Sequence, residues 1–142
     1  MIPEDATELL RPVDGPVAWQ AEDLRTDQSW IWRLNATDLA EIDSALESAR
    51  QSGKSMPTLC SEDFPLPTMG PRLVAAARDL DTGRGCLLIK GLDVGRYNKD
   101  EITDIYWGMG RYLGTPVTQN AAGDLIGNIR NSGRTIGEKN VR

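Results

Sequence analysis

The chain has 142 residues, 39% of them hydrophobic and 26% charged, which is enough apolar material for one packed domain and too much for a disordered tail. Lys and Arg total 16 against 21 Asp and Glu, and the net charge of −5 disfavours nucleic acid and anionic membrane surfaces as partners. Histidine is absent, so the chain by itself cannot supply a His general base, a Ser-His-Asp triad or the 2-His-1-carboxylate face of a non-haem iron site.

Two cysteines, Cys60 and Cys86, are too few for a zinc site or a disulfide framework, and such sparse use fits a reducing cytoplasm. The acidic start, Met1 to Glu8, lacks the basic and apolar regions of a secretory signal. No apolar run is long enough for a membrane helix. A cytoplasmic protein without nucleic-acid or membrane partners is the expectation.

Residues 1–34 read as an irregular arm, punctuated by Pro3, Pro12, Gly15 and Pro16. Trp19, Trp30 and Trp32 lie in short extended stretches. They are expected to pack this arm onto a core, with ligand stacking as the other reading. A helix is predicted over 37–51, because Leu39, Ile42, Leu46 and Ala49 form one apolar stripe. Thr37 is its expected cap, Asp38 and Glu41 occupy the dipole-favoured first turn, and Gly53 follows as a natural stop. The sequon-like Asn35-Ala36-Thr37 reads as capping.

Three prolines predict an extended loop over 54–70, anchored by Phe64 and Leu66. A second helix is expected over 71–80, burying Leu73, Val74, Ala77 and Leu80, with Pro71 in its first turn. Gly85 to Lys90 is a short apolar run between glycines and reads as a buried strand, with Cys86 as an inert core thiol. The third helix, 99–113, has a cap at Asn98, Glu101 three residues on, and an apolar face of Ile102, Ile105, Tyr106, Met109 and Leu113. Gly114 and Pro116 end it. Gly108, Gly110 and Gly114 sit too late in a helix for a phosphate loop, and close packing plus a C-cap is the expected role.

Residues 124–130 alternate apolar and polar and read as a second strand, a sheet neighbour of 85–90 under the helices at 37–51 and 99–113. From Asn131 to Arg142 the only large apolar side chains are Ile136 and Val141. This stretch is expected to be a disordered tail or a truncation point, leaving 35–130 as the folded part.

The order of four segments carries a resemblance. They are Glu62-Asp-Phe-Pro-Leu-Pro67, then Gly83-Arg-Gly-Cys-Leu-Leu-Ile-Lys-Gly-Leu92, then Ile105-Tyr-Trp-Gly-Met-Gly-Arg-Tyr-Leu-Gly-Thr-Pro-Val-Thr-Gln-Asn120, and Gly123-Asp-Leu-Ile-Gly-Asn-Ile-Arg130. From about residue 19 onward the chain resembles the N-terminal part of the TauD/TfdA-like (taurine dioxygenase) family of Fe(II)- and 2-oxoglutarate-dependent oxygenases. The resemblance implies an α+β fold: N-terminal helices plus the first strands of a double-stranded β-helix (jelly roll), incomplete in this chain. It also implies hydroxylation of a small-molecule substrate coupled to decarboxylation of 2-oxoglutarate to succinate. The family's iron ligands are a His-X-Asp pair and a distant His, and an Arg near that His pairs with 2-oxoglutarate. The pair would follow the segment after Arg142, so neither Fe(II) nor 2-oxoglutarate is expected to bind this chain alone, and the chain alone is expected to be inactive.

The resemblance also implies a substrate-contacting side chain five residues after the helix-ending Gly114, which is Gln119, followed by Asn120. Their amides can donate and accept together, or can satisfy backbone groups in a turn. Asn128 and Arg130 are further substrate-binding candidates. Arg130 could hold a carboxylate with both arms of its guanidinium, or be solvated. Two other functions compete with an oxygenase portion. One is a non-catalytic interaction module derived from the same fold, self-associating or pairing through exposed strand edges. The other is an unrelated α+β binding domain.

Overall fold

The computed structural model describes residues 12–127. In chain order these form a 3-10 turn (Gly15–Val17), α1 (Ala21–Thr26), β1 (Ile31–Arg33), α2 (Ala36–Ser52), α3 (Met69–Thr82), β2 (Leu88–Lys90), a second 3-10 turn (Val94–Arg96) and α4 (Lys99–Leu113). The architecture is α+β.

Each long helix begins where side chains satisfy its free N–H groups. At α2 the cap is Asn35, two residues before the expected Thr37: its Oδ1 accepts from Asp38 N at 2.9 Å, and Asp38 Oδ2 accepts from Asn35 N at 3.2 Å. Asn98 and Glu101 form the same reciprocal box at α4. α3 is capped from outside, because Glu41 of α2 accepts from Thr68 N and Met69 N, both at 2.8 Å. Gly53 ends α2 at φ 69°, a left-handed conformation that costs glycine least.

The core lies among α2, α3, α4 and the 53–68 loop. Ile42, Ala45, Leu46 and Ala49 of α2 meet Leu59, Phe64 and Leu66 of the loop, with Met69, Leu73, Ile105 and Trp107 closing the cluster. Phe64 and Leu66 are therefore anchors, as expected. The loop itself is not extended. Leu59 N bonds Ser55 O and Phe64 N bonds Cys60 O, folding it into successive turns. α4 holds these turns from the side: Trp107 Nε1 donates to Leu59 O at 2.9 Å, and Tyr112 Oη receives Leu66 N and donates to Phe64 O, both at 3.0 Å. The buried loop backbone is thus paired by α4 side chains.

Two buried faces differ from their periodicity. α3 starts earlier than expected and buries Met69, Gly70 and Leu73, while Val74 and Leu80 are exposed. Its N-terminal half lies so close to α4 that a Cβ on Gly70 would stand 2.6 Å from Tyr112 Cε1. In α4 the apolar stripe is only partly a core face. Ile105 is buried, but Tyr106 is 69% exposed, and Trp107 and Gly108 enter the core instead.

The sheet is a parallel pair, with Ile31 opposite Leu88, Trp32 opposite Ile89 and Arg33 opposite Lys90. The expected pairing of 85–90 with 124–130 is corrected: β2 pairs with β1, and the described residues 124–127 are not strand. In that segment Asp124 O accepts from Gln119 N at 2.6 Å, and Asn120 Oδ1 accepts from Ala122 N and Asp124 N, so the backbone closes on itself. β2 is also shorter and less buried than expected. Gly85, at φ 75°, belongs to the exit from α3, and only Ile89 of the strand packs against the core. Of the tryptophans, Trp32 packs against the core, Trp30 donates to Leu24 O, and Trp19 is 42% exposed. The expected 131–142 tail lies outside the described residues.

Candidate functional site

The stripe of α4 that does not enter the core faces a groove. Leu34, β2 and the turn after β2 form one side, and residues 114–119 and 125–127 form the other. The groove encloses about 1060 Å³ and is walled mainly by apolar side chains, among them Ile89, Ile102, Met109, Val117 and Ile126. A concave apolar wall with few polar groups is the usual form of a small-molecule site.

Gly114 ends α4 by donating to Gly110 O at 3.1 Å, and residues 114–117 and 119 then line the groove. Gln119 lies on the groove lining, is exposed, and donates through Nε2 to Val117 O at 2.9 Å. Its Oε1 makes no hydrogen bond with a described residue. Asn120 does not line the groove. Its amide is taken up by Asp124 and the backbone of the 120–124 turn. Asn128 and Arg130 lie outside the described residues.

Arg111 was not singled out by the sequence, where it looks like any basic residue in the last turn of a helix. It is the one charged side chain among the described residues lining the groove. Only the groove's identity, invisible in the sequence, marks it out.

Cys60 does not offer an activated nucleophile. Cys60 Sγ donates to Asp63 Oδ2 at 2.7 Å, and that carboxylate pushes the thiol above its ordinary value while the thiol and Lys54 hold Asp63 down at about 2. Cys86 is half-buried beside β2.

The residues present do not fit a catalytic iron. The sequence has no His, and the described residues contain no group of three Cys, Asp or Glu side chains that could hold a metal ion. Among the described residues no helix is long and apolar enough to cross a membrane.

No family model matches the chain. Two curated proteins are similar to it. "Taurine hydroxylase-like protein SAT17" of Stachybotrys chartarum is 27% identical over 109 residues, which are 77% of this chain and 28% of that protein. "FR-33289 synthase" of Streptomyces rubellomurinus is 27% identical over 135 residues, which are 94% of this chain and 40% of that protein. The chain therefore spans less than half the length of the curated relatives it matches. Together they support the resemblance to TauD-like oxygenases that the segment order carries.

Proposed function

We propose that the chain is the N-terminal portion of a TauD/TfdA-like, Fe(II)- and 2-oxoglutarate-dependent oxygenase that hydroxylates a small molecule. The observation that carries this reading is the asymmetry of the two alignments: they take in 77% and 94% of this chain but 28% and 40% of the relatives. In this reading the jelly-roll strands, the iron ligands and the 2-oxoglutarate contacts come from outside the chain. The chain's own contribution is a folded helical wall. α4 and the 114–127 segment shape an apolar surface, and Gln119 presents to a substrate donor an amide oxygen that no described residue bonds. Such a wall orients a substrate and keeps water from it, and the oxidation belongs to the cofactors.

Two measurements test the proposal. The purified 142-residue protein, loaded with Fe(II) and given 2-oxoglutarate and oxygen, is expected to form no succinate above a metal-only control. Succinate above that control overturns it. The coding sequence downstream of the Arg142 codon is expected to continue in frame through a His-X-Asp motif and a later His. A stop codon there followed by an intact separate gene favours the second reading.

That second reading is a non-catalytic module that associates through strand edges. It is favoured by the two-stranded sheet, whose outer edges are both unpaired among the described residues, and by Leu88, 39% exposed on β2. It predicts concentration-dependent light scattering that a Leu88→Lys substitution suppresses. A monomer at all concentrations removes it.

A further inference from the structure

The distribution of arginine partners singles out one guanidinium. Arg25, Arg50, Arg72, Arg84 and Arg96 each pair with a carboxylate. Arg33 and Arg78 are exposed and pair with none among the described residues. Arg111 differs from both groups: it is half-buried, it sits in the wall of an apolar groove, and it makes no hydrogen bond or ion pair with a described residue. Asp81 borders a shallower depression of about 480 Å³ that Arg111 also edges, but the two form no ion pair.

Drawing a guanidinium partly out of water against an apolar wall is unfavourable unless an acceptor meets it. The chain has acids in excess, 21 against 16 bases, and five described arginines pair with described carboxylates, yet no described residue covers this one at the groove. With a net charge of −5 the protein repels anions at long range, so capturing one requires a local cation. A planar guanidinium offers paired donors that match a carboxylate.

We infer that Arg111 anchors the carboxylate of an organic anion whose apolar body lies along the Ile102, Met109 and Ile126 wall of the groove. The inference rests on reading the groove as a substrate wall, but its test needs no iron, oxygen or turnover, so its failure and that of the oxygenase reading are separable.

The probe is 4-phenylbutyrate, with its uncharged amide as the matched neutral ligand. Both are titrated into the methyl-labelled 142-residue protein and followed by NMR. The anion is expected to bind about tenfold more tightly than the amide, with shifts at Ile102, Met109 and Ile126. Arg111→Gln is expected to abolish the difference, Arg111→Lys to keep part of it, and Arg78→Gln, on the neighbouring depression, to leave it intact. 2-Oxoglutarate, which has carboxylates and no apolar body, is expected to bind at least about tenfold more weakly than the probe. The inference is overturned by equal binding of acid and amide, by no binding of the acid, by a preference that survives Arg111→Gln, by shifts centred on Arg78, or by 2-oxoglutarate binding as tightly as the probe.

Discussion

Replacing Gly108 with Ala places a methyl group where the Phe64 ring already sits. An ideal Cβ at 108 lies 2.4 Å from Phe64 Cγ, 2.6 Å from Cδ1 and 2.8 Å from Cδ2. These are ring atoms of a side chain with 0% exposure, so they cannot swing aside into solvent. Overpacking of this kind costs about 1–3 kcal/mol, and Ala in a helix interior recovers up to about 1 kcal/mol relative to Gly. With that gain subtracted, the expected net loss is about 0–2 kcal/mol, a fall of up to several degrees in Tm. Gly110 supplies the control. It lies in the same helix, and nothing stands within 4 Å of its added Cβ. Gly110→Ala is therefore expected to gain roughly 0.5–1 kcal/mol from propensity alone. Urea and thermal unfolding of both variants, followed by circular dichroism, measure the difference. A Gly108→Ala protein as stable as Gly110→Ala would show that α4 does not seat on Phe64, and the placement of the groove behind α4 would fail with it.

Asp38→Ala should cost about 2–3 kcal/mol, because the buried carboxylate receives Arg72 Nη1 at 2.9 Å and Trp32 Nε1 at 3.2 Å and joins β1, α2 and α3; a loss below about 0.5 kcal/mol in urea unfolding contradicts that role. The Asp63 carboxyl is held at about 2, chiefly by the Cys60 thiol and then by Lys54, below an unfolded value of about 3.9. Its contribution to stability is therefore complete above about pH 4 and drains away as the pH falls through about 2, so Asp63→Asn should flatten the stability profile across that window. Parallel acid profiles for the two proteins count against the Cys60–Asp63–Lys54 cluster.

Much of the helical part was legible because caps and periodicity agree. At α4, Asn98, Glu101 and Gly114 mark both ends, and the structure gives Lys99–Leu113. At α2, Thr37 and Asn35 are both good caps, and only geometry decides that Asn35 reaches the Asp38 amide. The face each helix turns to the core was less legible. A stripe of apolar residues says that a face is covered, but not by what, and α4 has apolar residues on two faces. The sheet was misread for a related reason. Leu125 and Ile126 do pack near the core, so alternation around them mimics a strand, while Asn120 and Gly123 tie the same stretch into a turn. The true partner of β2, Ile31–Arg33, is three residues long and lies far off in sequence, where only a parallel crossover could reveal it. Of the candidate site, the resemblance pointed to Gln119 as the residue five after Gly114, and the structure sets that residue on the groove lining, whereas Arg111 needed the groove itself.

The two faces of α4 divide the work of the molecule. One face, with Ile105, Trp107 and Gly108, is buried against the loop that carries Leu59, Phe64 and Leu66, and Trp107 and Tyr112 hold that loop by its backbone. The other, with Ile102, Tyr106, Met109 and Leu113, lines the groove beside Ile105 and Trp107 and is left partly in water. Exposing Tyr106 and Leu113 forgoes about 25 cal/mol for every Å² of apolar surface left uncovered, so these positions are not explained by the stability of the described residues. The rigid face makes the open one usable. Because Phe64 and Gly108 leave no slack between the helix and its seat, Met109, Arg111 and the Gly114 turn are held in fixed relation, and a ligand meeting Arg111 does not have to order the wall it binds. Loosening the seat should therefore weaken ligand binding even where no groove residue is changed.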